Sequence, residues 1–114
     1  MAYGTKATFE ALRSAAFGAI GAGYTAIGAA TSDYARIVGF YNSTDTDVLI
    51  SLDGVTDHIR LATGSGQIFD MTSNKVKDDG LFIPIGTSFY VRRGAGAPSS
   101  GNVWVEVVAA AGGM

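Results

Sequence analysis

The fold class this sequence predicts is all-β: a single sandwich of about seven or eight short antiparallel strands, jelly-roll or immunoglobulin-like in type. Three observations predict it. The apolar runs are short and rich in β-branched and aromatic residues, the types that suit a pleated, half-buried surface. The chain carries 16 Gly, many of them at turns between those runs. And the stretch from Arg36 to Asp57, RIVGFYNSTDTDVLISLDGVTD, reads as two strands joined by a polar turn. Ile37, Val38, Phe40 and Tyr41 form the first strand of that expected hairpin. Ser43-Thr44-Asp45-Thr46 is the turn, because these side chains compete for nearby backbone groups. Val48, Ile50 and Leu52 then alternate with Asp47, Ser51 and Asp53, giving one apolar and one mostly polar face that Leu49 interrupts. Asp53-Gly54 closes the strand with a strong turn signal.

The remaining elements follow in chain order. Thr8 to Arg13 has the pattern of one helical turn with Thr8 as N-cap, too short to be stable without packing. Ala15 to Ala30 is rich in Ala and Gly, anchored by Phe17, Ile20, Tyr24 and Ile27. Its spacing would suit a helix face, but each interior Gly costs about 1 kcal/mol relative to Ala. The preferred reading is therefore extended, with strands near Ala16–Ile20 and Tyr24–Ile27 and a helix as the alternative. Short strands are expected at His58–Ala62 and Gln67–Met71, the latter with Phe69 and Met71 on one side. Thr72 to Gly80 is the most polar loop, and Leu81-Phe82-Ile83 a buried run. Pro84-Ile85-Gly86-Thr87 reads as a tight turn in which Gly takes positive φ. Ser88–Arg93 is a strand and Gly94–Gly101 a loop. Asn102–Ala109 is the last strand, with Val103, Val105 and Val107 inward and Trp104 and Glu106 opposite.

At 114 residues this is one domain. Residues 1–23 are expected as an N-terminal arm or first strand, open to an intersubunit role, and residues 24–114 as the sandwich. A net charge of -2 with scattered Lys and Arg lacks the basic stripe of a nucleic-acid footprint. No apolar run is long enough for a membrane-spanning helix. Lys6 and Arg13 precede the small, apolar stretch Ala15–Ala30, but Gly18, Gly21, Gly23 and Thr25 interrupt it, and a secretory leader is not expected. With Cys 0, disulfides, thiol nucleophiles and cysteine zinc sites are excluded.

Catalytic chemistry finds little support. His58 is the single histidine, and its neighbour Asp57 would point to the opposite strand face, so the two do not read as a dyad. Asp45, Asp47, Asp53 and Asp57 are the densest carboxylates, and turn formation accounts for them better than a calcium site. Gly21-Ala22-Gly23 and Gly64-Ser65-Gly66 lack the context of a phosphate loop. No catalytic, cofactor-binding or metal residues are assigned, and no cofactor is expected. Tyr24, Tyr34, Tyr41, Tyr90 and Trp104 are either core residues or an aromatic platform.

Five stretches carry a family resemblance: FEALRSAAFGAI, ARIVGFYNSTDTDVLISLDGVTDH, IFDMTSNK, GLFIPIGTSFYVRRG and PSSGNVWVEVV. In these the chain resembles the small β-sandwich virion proteins of tailed bacteriophages, over most of its length. The resemblance implies a non-enzymatic, homo-oligomeric component of the virion, assembled in the host cytoplasm. It would be a capsid decoration or cement protein, or one of the head–tail junction or collar. Its partners would be itself and other virion proteins such as major capsid or portal and tail proteins, with neither nucleic acid nor membrane. The interface residues expected are Phe9, Leu12, Phe17, Tyr24, Arg92, Arg93 and Trp104. A carbohydrate- or receptor-binding module is the rival reading.

Overall fold

The computed structural model describes residues 6–71 and 83–111. Nine strand segments form two antiparallel sheets among these residues: β1 (Lys6–Phe9), β2 (Arg13–Ala16), β3 (Thr25–Ala26), β4 (Tyr34–Asn42), β5 (Val48–Ser51), β6 (Ile59–Leu61), β7 (Gly66–Asp70), β8 (Tyr90–Arg93) and β9 (Asn102–Ala111). The first sheet runs β1-β9-β4-β7, with β2 also on β9, and the second runs β3-β8-β5-β6. β1 and β2 are two halves of one edge strand. Phe9 pairs with Val108 and Arg13 with Val105, so Glu10, Ala11 and Leu12 stand opposite only Glu106 and Val107. That is a β-bulge, which bends the edge.

Counting β1 and β2 as one, the eight strands pair from the ends inward: first with last, β3 with β8, β4 with β7, β5 with β6. This nested antiparallel winding is the jelly-roll order, so of the two sandwich types it is the jelly roll that forms.

The winding corrects the expected hairpin. β4 and β5 do not pair. β4 takes β9 and β7 as neighbours in the first sheet, while β5 takes β6 and β8 in the second. Ser43–Asp47 is a turn, as expected, but it crosses between sheets. Asn42, fully buried, makes that crossing: its Nδ2 donates to Thr46 O at 2.8 Å and Leu61 O at 3.1 Å. Its Oδ1 accepts from Thr44 N at 2.9 Å and Thr44 Oγ1 at 2.6 Å. One side chain thus satisfies the backbone where the chain leaves one sheet for the other.

The N-terminal readings need correction as well. Thr8–Arg13 is strand and bulge rather than a helical turn, because β9 offers ladder partners that a single turn lacks. Residues Ala16–Ile20, expected as a strand, hold the end of β2 and a 3-10 turn, Phe17–Ala19. No α-helix occurs among the described residues, in line with the extended reading of Ala15–Ala30. Residues 6–16, read as part of an N-terminal arm or first strand, form the edge of this chain's own first sheet. The polar loop Thr72–Gly80 and the pair Leu81–Phe82 lie outside the described residues.

The core lies between the sheets. Val38 and Phe40 of β4, Val103, Val105 and Val107 of β9, Val48 and Ile50 of β5, and Val91 of β8 are all buried, with Ile27, Leu61 and Phe89 beside them. The Phe40 ring meets Phe69 and Phe89 edge-on at 5.9 and 5.8 Å. Each such side chain contributes about 1.5–3 kcal/mol by leaving water. Val103, Val105 and Val107 do face inward, with Trp104 and Glu106 on the other side, as the alternation predicts.

Candidate functional site

Strand alternation leaves an outer face on each sheet, and the two differ in character. The outer face of the second sheet is polar and internally paired. Arg92 Nη2 and Nε reach Asp57 at 2.7 and 3.0 Å, and Tyr24 Oη also donates to Asp57. The Arg92 guanidinium lies 5.5 Å from the centre of the Tyr24 ring. Arg60 pairs with Asp47 at 2.6 Å. Hydrogen bonding to Arg92, then to Tyr24, holds the Asp57 carboxyl below its usual range, and Asp57 in turn raises Arg92. Burial, then the bond to Asp57, raises the Tyr24 phenol.

The outer face of the first sheet has the opposite composition. Registered pairing sets three rows across it. Phe9, Val108, Ile37 and Asp70 form one row. Glu106, Gly39 and Ile68 form the next, with the bulge at its end. Ser14, Trp104, Tyr41 and Gly66 form the third. Phe9 is 79% exposed, Ile68 75%, Leu12 56% and Tyr41 47%. An antiparallel sandwich normally gives water a polar outer face, and a cluster of exposed apolar side chains on one face makes this sheet the candidate site.

Gly39 gives this face its relief. It has no side chain, and the position a Cβ would take lies 3.6 Å from both Glu106 Oε1 and Ile68 Cγ1. On either side of the Glu106–Gly39–Ile68 row lies a shallow hollow. One, of ≈ 310 Å³, is bounded by Tyr41, Gln67 and Trp104. The other, of ≈ 380 Å³, is bounded by Phe9, Leu12, Ile37 and Val108. Trp104 is held in place by its Nε1, which donates to Ser43 Oγ at 3.2 Å.

Of the residues expected at interfaces, the fold gathers Phe9, Leu12 and Trp104 on this apolar face. Tyr24 and Arg92 lie together on the other sheet, bonded to the chain's own Asp57. Arg93 ends β8, its N–H donating to Gly21 O at 2.8 Å. Phe17 is exposed in the 3-10 turn, its N–H donating to Gly101 O at 3.0 Å. The sequence reading missed Ile37, Gly39, Ile68, Glu106 and Val108 as members of a surface, while Tyr41 was among the candidates for an aromatic platform. A signal existed: Ile37-Val38, Phe40-Tyr41, Ile68-Phe69 and Val107-Val108 are adjacent apolar pairs. In a strand, adjacent apolar residues make both faces apolar.

The candidate chemical groups disperse. His58 Nδ1 accepts from Leu52 N at 3.0 Å, and His58 faces Asp53 rather than Asp57, with Nε2 3.9 Å from Asp53 Oδ2. Asp53 caps its own turn, accepting from Val55 N and Thr56 N at 2.8 Å and from Ser51 Oγ, and these bonds hold its carboxyl far below the usual range. Asp45 accepts from Ser99 N and Oγ, which lowers it too. Asp47 accepts from Thr63 N at 3.0 Å as well as from Arg60. Among the described residues no three of His, Asp and Glu converge on a point that a metal ion could occupy. No family model, curated protein or solved structure matches this chain.

Proposed function

We propose that this chain is a non-enzymatic structural component of a tailed-bacteriophage virion: a homo-oligomeric capsid decoration or cement protein, or a protein of the head–tail junction or collar. The observation that carries the proposal is the apolar outer face of the first sheet. A building block needs a surface whose burial drives assembly, and this face concentrates Phe9, Leu12, Tyr41 and Ile68 in the open. The jelly roll supports the reading only by analogy, since that winding also serves lectins and enzymes. The resemblance to small virion proteins rests on the residues quoted above. Exposed strand edges give copies of the chain a route to association with one another, and repetition over a shell turns weak contacts into firm attachment.

The test is the protein content of phage particles purified on density gradients from the host that encodes the chain. Mass spectrometry should find the chain at many copies per particle, and its absence from intact particles would refute the reading. Particles assembled with Ile68→Asp should retain fewer copies.

A carbohydrate-binding module is the second reading, and one observation favours it. Tyr41 and Trp104 face each other across β4 and β9 with Glu106 one row away. Aromatic rings with a carboxylate are a setting for a sugar ring. Sugar-dependent quenching of Trp104 fluorescence would support that reading over the first.

A further inference from the structure

We propose that the outer face of the first sheet docks a segment of a different protein in which an arginine sits between apolar residues, its guanidinium entering over Gly39 to pair with Glu106. The proposal rests on the reading of this face as a docking surface and names the chemistry of what docks.

Glu106 carries the argument. It is exposed at the centre of the face and borders both hollows. Most carboxylates among the described residues are engaged: Glu10 with Arg13, Asp45 with Ser99, Asp47 with Arg60, Asp53 with its own turn, Asp57 with Arg92. Among the described residues, Glu106 and Asp33 are the carboxylates whose oxygens bond nothing in the chain, and only Glu106 is surrounded by exposed hydrophobic groups. A partner that covers Phe9, Leu12 and Ile68 also takes Glu106 out of water. Burying a carboxylate without a counter-charge is strongly unfavourable. A partner must therefore bring a cation to that point.

The geometry favours arginine over lysine. The space over Gly39 is flanked by the carboxylate on one side and Ile68 on the other. A planar guanidinium pairs with a carboxylate through two parallel bonds and is less strongly hydrated than an ammonium. Tyr41 and Trp104 in the adjacent row line the same hollow as Gly39 and Glu106 and give it aromatic neighbours.

The same charge argument disfavours a second copy of this face. No cation is among the residues lining either hollow. A two-fold pairing would therefore set Glu106 against Glu106 of the other copy. A sugar is disfavoured by the small number of polar groups, chiefly Glu106 and Gln67, among so many apolar ones.

The experiment is a two-dimensional amide NMR titration of the full chain with the peptide acetyl-Ala-Leu-Arg-Leu-Ala-amide. The control peptide has citrulline, of the same shape but uncharged, in place of Arg. The expected result is that the arginine peptide shifts the amides of Gly39 and Glu106 and the Trp104 indole N–H, and binds at least tenfold more tightly than the control. Glu106→Gln should abolish that preference while leaving the rest of the spectrum unchanged. Four results would overturn the proposal: equal binding of the two peptides, no shifts with either, shifts confined to the second sheet, or signals from this face already broadened by dilution-sensitive self-association. Shifts at Trp104 with galactose but not with the arginine peptide would move the site to the carbohydrate class. Failure here leaves the virion reading standing if the chain is found in particles. Binding here with no chain in particles defeats that reading alone.

Discussion

Glu10 and Arg13 stand at the two ends of the bulge that splits the first edge strand, and their side chains meet at 2.6 Å with both almost wholly buried. From that meeting the pair reaches across to the loop leading into β4. Arg13 donates to Ala29 O at 2.8 Å and Ala30 O at 3.2 Å, and lies 5.8 Å from the centre of the Phe89 ring. Glu10 accepts from Ser32 N, Ser32 Oγ and Asp33 N, each at 3.2 Å. The bulge re-aims a strand, and the ion pair pins it to the opposite sheet's connection.

Removing one partner should therefore be costly. Arg13→Ala leaves the buried Glu10 carboxylate without its counter-charge and the carbonyls of Ala11, Ala29 and Ala30 without the side chain that donates to them, and should lower stability by about 3–5 kcal/mol. The double change Glu10→Gln with Arg13→Met should cost less than Arg13→Ala alone, as replacement of a whole buried pair usually does. Urea unfolding of the two variants beside the parent protein checks both statements. Deleting residues 1–23 takes away this clamp, the edge strand and the core residues Ala15 and Ile20. The truncated chain should lose its cooperative unfolding transition, visible in near-ultraviolet circular dichroism, rather than merely change its oligomeric state.

Acid should unfold the protein through the same carboxylates. Burial works to raise Glu10, but the hydrogen bonds and charge of Arg13, with the Ser32 and Asp33 amides, outweigh it and hold the carboxyl below its usual value. Asp45, Asp53 and Asp57 are lowered too. With folded values depressed, the unfolded chain binds more protons at low pH, so stability rises with pH. The contribution is complete above the ordinary carboxylate range near pH ~4 and is lost as pH falls from there through the folded values. Thermal midpoints should hold steady from neutral pH to about 5 and then drop, and Arg13→Met should flatten part of that drop.

The crossing between sheets depends on Asn42. Asn42→Leu keeps the branched shape but removes the donor to the carbonyls of Thr46 and Leu61 and the acceptor for the Thr44 amide. Stability should fall by about 2–4 kcal/mol, measured by denaturant unfolding.

Gly101 should tolerate nothing larger. Its φ is +87°, and an added Cβ would lie 2.1 Å from Ser43 O and 2.7 Å from the Ser43 carbonyl carbon, both backbone atoms. Gly101→Ala should destabilise by more than about 2 kcal/mol. Gly18→Ala, at a site with nothing within 4 Å, should change stability by less than about 0.5 kcal/mol. Paired thermal melts of the two variants provide the comparison.

Legibility varied along the chain. β9 could be read almost to the residue, because its alternation is regular and its inward valines pack as drawn. Asp53–Gly54 could be read too, with Gly54 at φ 79. The N-terminal edge was misread since Thr8–Arg13 carries a helix-like local pattern, while its strand state comes from β9, far away in sequence. Three of the expected interface residues did fall on one face. The rest of that face was invisible because β1, β2, β4, β7 and β9 each bring at most three side chains to it.

By itself the sequence determined that the chain is all β, where most strands lie and which side of β9 faces inward. Those properties follow from local alternation and turn chemistry, which act over a few residues. Tertiary structure alone decided that β4 and β5 part into different sheets, that the strands wind as a jelly roll, and that Phe9, Ile68, Glu106 and Tyr41 share a surface. Pairing joins strands distant in the chain, and its energy depends on which edges and faces are already taken. No stretch of sequence carries that information alone.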